Sequence, residues 1–126
     1  MRAVDTNVLV RIIARDDSPQ TAAADRFIEP TAWISSVVLA EAAWVLRRVY
    51  KLAPPELVAT IETLLGHRNL VIQDAEAMAA ALELFRARPA LGFNHCVILE
   101  TARRAGHRPL GTFDRALGKV DGTIRL

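Results

Sequence analysis

The chain has 126 residues, enough for one domain to bury a substantial core without disulfides or a structural metal. Sixteen basic residues against 14 acidic ones give a formal charge of +2, which excludes long-range attraction as a sufficient route to nucleic acid. A single cysteine, Cys96, excludes an internal disulfide, and no apolar run approaches the ~20 residues that span a bilayer, so a soluble, unsecreted chain in a reducing compartment is expected.

Composition is more telling than net charge. Fourteen of the sixteen bases are arginine, including the pairs Arg47-Arg48 and Arg103-Arg104, and the guanidinium fork suits bidentate contact with phosphate or carboxylate. Singly, each arginine fits a solvated helix face; together they permit an RNA partner.

In chain order, Arg2-Ala3-Val4-Asp5 reads as a first strand ending on an acid, followed by a helix through Val8, Leu9, Ile12 and Ile13. Ser18 as cap and Pro19 at the first helical position restart a helix that ends near Pro30. A strand at Ala32-Trp33-Ile34 leads through Ser35-Ser36, a cap signal, into apolar residues at helical spacing over 37–50. Pro54-Pro55 opens the next helix, which runs to Gly66. Leu70-Val71-Ile72 is a third strand, and Asp74 starts an alanine-rich helix whose Met78, Leu82 and Phe85 share a face before Pro89. Residues 94–105 form a helix stopped by Gly106, residues 109–113 a strand, Asp114 opens a short helical turn, and residues 123–126 make an edge strand. No repeat, linker or low-complexity tract interrupts this, so the expectation is one domain over residues 1–126.

Such alternation predicts an α/β fold with a mainly parallel central sheet of four to five strands and helices on both faces, since parallel neighbours need a crossover that a helix supplies. Ligands of such sheets bind beyond the carboxyl ends of the strands. Asp5 and Asp114 each follow a strand and reach one edge if those strands are parallel neighbours. Glu41 lies within two turns of the start of its helix, with Val37, Val38, Trp44 and Val45 at i−4, i−3, i+3 and i+4, which predicts a place on the apolar stripe. An unpaired carboxylate there is costly. A divalent cation offsets both that cost and the repulsion among clustered acids, and oxygen donors suit Mg²⁺ or Mn²⁺. Metal-assisted phosphodiester hydrolysis is the chemistry that a shared pocket of Asp5, Glu41 and Asp114 serves best. Each acid also has a plain structural alternative: Asp5 and Asp114 as helix caps, Glu41 paired with an arginine such as Arg47.

Val4-Asp5-Thr6-Asn7-Val8-Leu9, Ser35-Ser36 followed by Glu41, the segment from Gly92 through Phe93, Asn94, His95 and Cys96 to Leu99, and Thr112-Phe113-Asp114 resemble, in order, the successive motifs of PIN-domain ribonucleases, specifically VapC-type toxins. The resemblance implies a three-layer PIN-like fold and a cytoplasmic, Mg²⁺-dependent endoribonuclease. It further implies a homodimer held inactive by a cognate VapB-type antitoxin. Asp5, Glu41 and Asp114 correspond to three of the family's four metal-organising acids, with Thr6, Asn7 and Thr112 as polar support.

The fourth acid is replaced. The family pattern resembles Phe-Ala-Asp-Cys-Leu-Ile-Leu, and here His95, preceded by Asn94, stands in the aspartate's place. His95 has Ile98, Leu99 and Ala102 at i+3, i+4 and i+7, which predicts an inward direction. Three readings follow: a nitrogen ligand favouring Mn²⁺ over Mg²⁺, a packed histidine beside a weakened metal site, or a binding protein that no longer cleaves RNA. Asn94 can lend a carbonyl oxygen or cap its helix. Covalent phosphatase chemistry lacks its second acid, since Asn7 stands there, and no Gly-x-Gly-x-x-Gly follows any strand to hold a dinucleotide.

Overall fold

The computed structural model describes all of residues 1–126, and its backbone groups into two compact units, Met1–Ala75 and Glu76–Leu126. Strands β1 (Arg2–Ala3), β2 (Ala32–Ile34) and β3 (Leu70–Ile72) build the first unit's sheet in the order β1-β2-β3, all parallel. The helices between them are α1 (Thr6–Ala14), α2 (Ser18–Ile28), α3 (Ser36–Arg48) and α4 (Pro54–Leu65). Helix α1 packs on α2 and α3, and α3 on α4.

Strand alternation decides which face is covered. Ala32, Ile34, Leu70 and Ile72 are buried, whereas Trp33 and Val71 between them are partly exposed. Leu9, Leu39, Leu46, Leu57 and Ile61 complete this core. Helix α2 is capped by Asp17, whose Oδ1 accepts from Gln20 N at 3.0 Å, so Ser18 and Pro19 lie inside the first turn, one place later than expected. Asp and Ser are comparable caps, and with Asp17 making the capping bond Ser18 becomes the first residue of the helix. Ser35 caps α3 as expected, accepting from Val38 N.

The second unit contains α5 (Ala75–Ala87, from its second residue), α6 (Phe93–Arg104), and strands β4 (Leu110–Thr112) and β5 (Thr123–Arg125), which pair parallel. A short 3₁₀ turn, Leu117–Lys119, connects the two strands. Met78, Leu82 and Phe85 are buried together as the helical spacing implies, and Phe85 meets Phe93 edge-to-face, ring centroids 6.2 Å apart. Cys96 is fully buried, and burial pushes its thiol up to about 12.

The fold class is α/β with parallel strands only, as alternation predicts. Five strands are present, but they hydrogen-bond as a three-stranded and a two-stranded sheet rather than as one ladder. Each strand is two or three residues long, so each interrupts the helical pattern only briefly. No helix is long and apolar enough to cross a membrane.

Candidate metal centre and its acids

In the first unit, the carboxyl edge of the parallel strands carries Asp5, Ser35-Ser36 and Gln73. Val4 N donates to Trp33 O at 3.3 Å, extending the β1–β2 ladder by one residue and delivering Asp5 immediately beyond it. Asp5 is exposed and is the N-cap of α1; its Oδ1 accepts from Thr6 N at 2.7 Å, and no partner engages Oδ2. The capping role therefore occupies half of the carboxylate. Thr6 is 8% exposed, and its Oγ1 is buried without a hydrogen-bond partner. Asn7 is exposed on the first turn of α1.

Glu41 stands in the second turn of α3 but does not face the core. It is exposed, and the buried stripe of α3 is Leu39, Ala42, Ala43 and Leu46. Of the four neighbours that suggested burial, Val37 is 66% and Trp44 52% exposed. Half of that inward face is alanine, Ala42 and Ala43, which gives a weak apolar signal. Glu41 forms no hydrogen bond or ion pair, so the pairing with Arg47 does not occur; Arg47 donates instead to Leu52 O at 2.7 Å.

Gln73 is the member that sequence reasoning missed. Its Oε1 accepts from Ser36 N at 2.9 Å and from Ser36 Oγ at 3.2 Å, tying the start of α3 to the end of β3. Only its position directly after the third strand could have flagged it. Asp74, next in line, is exposed and holds a left-handed backbone with φ 49, preceding α5.

The second unit contains His95, Asn94, Thr112 and Asp114. Gly92, at φ 79, is the N-cap of α6, so Asn94 lies within the first turn, exposed, and does not cap the helix. The left-handed backbone suits glycine and starts the helix two residues before Asn94. His95 is half-buried, and its Nδ1 lies 3.1 Å from Leu91 O. A carbonyl only accepts, so Nδ1 carries the proton and the lone pair of the neutral ring is on Nε2. Asp114 is half-buried; its Oδ2 accepts from Leu117 N at 2.8 Å, its own N–H donates to Thr112 Oγ1 at 3.0 Å, and Oδ1 is free. Asp114 thus holds the 3₁₀ turn with one oxygen, as Asp5 holds α1. Arg103 fixes the other end of α6, donating to Glu100 Oε1 and to Asp121 O.

Asp5 and Glu41 belong to the first unit, His95 and Asp114 to the second, and within neither unit do three His, Cys, Asp or Glu side chains gather into a group that could hold a metal ion. The donor chemistry nonetheless fits a hard divalent cation: carboxylate oxygens without a cationic partner at Asp5 and Glu41, and an orphaned buried hydroxyl at Thr6. By contrast, the acids that do meet arginine are elsewhere. Asp16 is held below the usual carboxylate range first by the Tyr50 hydroxyl and then by Arg11, and Asp25 by Arg15 at 2.7 Å.

No curated protein and no solved structure matches the chain. The family model described as PIN domain matches residues 2–123, a span from β1 into β5 that takes in Asp5, Glu41, His95 and Asp114. The chain therefore belongs to the PIN domain family, whose members are generally metal-dependent nucleases.

Proposed function

We propose that the chain is a metal-dependent endoribonuclease of the VapC type, the toxin of a toxin–antitoxin pair. Asp5 and Glu41 are its metal-organising acids in the first unit and Asp114 in the second. The observation that carries this reading is unengaged carboxylate chemistry in the first unit: Asp5, just beyond β1, keeps one free oxygen while capping α1, and Glu41, in the second turn of the helix that follows β2, keeps two. A bound Mg²⁺ or Mn²⁺ supplies activation of water and neutralisation of phosphate charge. The chain's own part is to aim the donors. Thr6 N fixes the Asp5 carboxylate, Gln73 fixes the first turn of α3 below Glu41, and Thr112 fixes the backbone of Asp114. Asn7 offers an exposed amide to a phosphate oxygen, and Asn94 does so at the start of α6. His95 Nε2 adds a nitrogen donor, which favours Mn²⁺. The partners in this reading are RNA, a VapB-type antitoxin and a second copy of the chain, in the cytoplasm.

Purified, partner-free protein is expected to cleave RNA with Mn²⁺ or Mg²⁺ and to stop on chelation, with Asp5→Asn abolishing activity. Mn²⁺ at 100 times its dissociation constant should raise unfolding stability by about 2.7 kcal/mol. His95→Asp should tighten Mg²⁺ binding. Cleavage that survives both chelator and Asp5→Asn overturns the proposal. No metal-induced stabilisation and no cleavage with any divalent ion favours the second reading, a PIN-domain binding protein in which the exchange of an acid for His95 has ended catalysis.

A further inference from the structure

The carboxyl end of α3 and the loop into α4 enclose an open pocket of about 440 Å³ lined by Trp44, Arg47, Arg48, Lys51, Leu52 and Ala53. None of these residues serves the acids described above. Trp44 is 52% exposed on a helix whose buried face is complete without it. An indole left in water forgoes a large burial gain. The Arg48 guanidinium lies 5.8 Å from its ring centroid, within cation–π range.

The loop is fixed rather than loose. Leu52 N donates to Leu46 O at 3.0 Å, Arg47 spans to Leu52 O, and Lys51 is held in a left-handed backbone at φ 57. Three cations line the pocket without a carboxylate to neutralise them. Glu56, the nearest acid in sequence, is committed to the Ala53 N–H at 2.8 Å, and Asp16 to Tyr50 and Arg11. The ordinary account of Arg47 and Arg48, cations in the last turn offsetting the helix dipole, explains their sign. It explains neither the exposed indole beside them nor Lys51 beyond the helix.

A ligand with flat rings and repeating negative charge matches both halves of the pocket, and single-stranded nucleic acid is that ligand. We infer that the pocket is a strand-binding subsite for single-stranded RNA, in which Trp44 stacks a base while Arg48 and Lys51 hold the flanking phosphates. The inference rests on the nuclease reading, because Glu41 lies one turn before Trp44 on the same exposed face of α3, about 4.5 Å along the axis. A strand lying against Glu41 continues over the indole.

The test titrates the full-length Asp5→Asn chain with a fluorescein-labelled oligouridylate, following anisotropy and indole fluorescence. Trp44→Ala should weaken binding about tenfold and Trp44→Phe should recover most of the loss. Arg48→Ala and Lys51→Ala should each lower the slope of log affinity against log salt by about 0.7. All four residues changed, Asp5, Trp44, Arg48 and Lys51, are exposed, and an unchanged far-ultraviolet circular dichroism spectrum secures folding. Unchanged affinity and slope, in a chain that still cleaves RNA before the Asp5 change, overturn the subsite alone. Trp44-dependent binding in a chain that never cleaves overturns the nuclease reading and leaves the subsite. Intact RNA binding with an altered oligomeric state or altered capture of an acidic peptide makes the face a protein interface, and the inference falls. No RNA binding by the parent chain overturns both.

Discussion

Thr6 has a buried hydroxyl with nothing to bond to, one residue after the exposed acid Asp5. An unsatisfied buried polar atom costs about 1–3 kcal/mol, so Thr6→Val should leave unfolding stability unchanged or raise it by about 1 kcal/mol. If the hydroxyl serves the acidic edge, the same change should weaken Mn²⁺ binding by calorimetry. A destabilised variant would mean that Thr6 Oγ1 is satisfied after all. Asp5 was legible in the sequence because an acid directly after a strand is a positional signal. The direction of Glu41 was misread, because Val37 and Trp44 weighed more in the pattern than Ala42 and Ala43, which share the real inner face with Leu39 and Leu46. Gln73 left no such mark: a glutamine that anchors a neighbouring helix looks like any polar residue after a strand. Nor could the sequence say which nitrogen of His95 is free, since that depends on where Leu91 O lies.

At the scale of elements, helix and strand positions followed from caps and breakers, and the small displacements have local causes. Asp17 outcompeted Ser18 for α2, and Gly92 began α6 before Asn94 could. Two glycines of the second unit are closely approached by arginine side chains. A Cβ on Gly118 would lie 2.7 Å from Arg125 Cβ, and one on Gly122, at φ 87, would lie 3.2 Å from Arg103 Nη2. Gly106 has a similar φ of 84 with open space around it. Gly106→Ala should therefore cost only the left-handed backbone penalty, about 1–2 kcal/mol. Gly122→Ala should cost more, because it also displaces the guanidinium that ties α6 to the turn before β5. Urea midpoints compare the two, and equal losses would show that the Arg103 contact contributes nothing to stability.

For the molecule as a whole, alternation of short apolar runs with amphipathic helices sufficed for the α/β class and the parallel direction, because a helical crossover leaves a strand little choice of direction. The partition of five strands into two sheets was not legible, since two- and three-residue strands carry too little pattern to name their partners. Cys96 gives the second unit an internal clock. As the only sulfhydryl in the chain, fully enclosed and disinclined to ionise, it can meet an alkylating reagent only after its surroundings part. The rate of iodoacetamide labelling, read by mass spectrometry without any introduced label, should then follow how often α6 opens and should fall when a ligand closes that unit. Labelling as fast as that of a free thiol would mean that this interior is not shut.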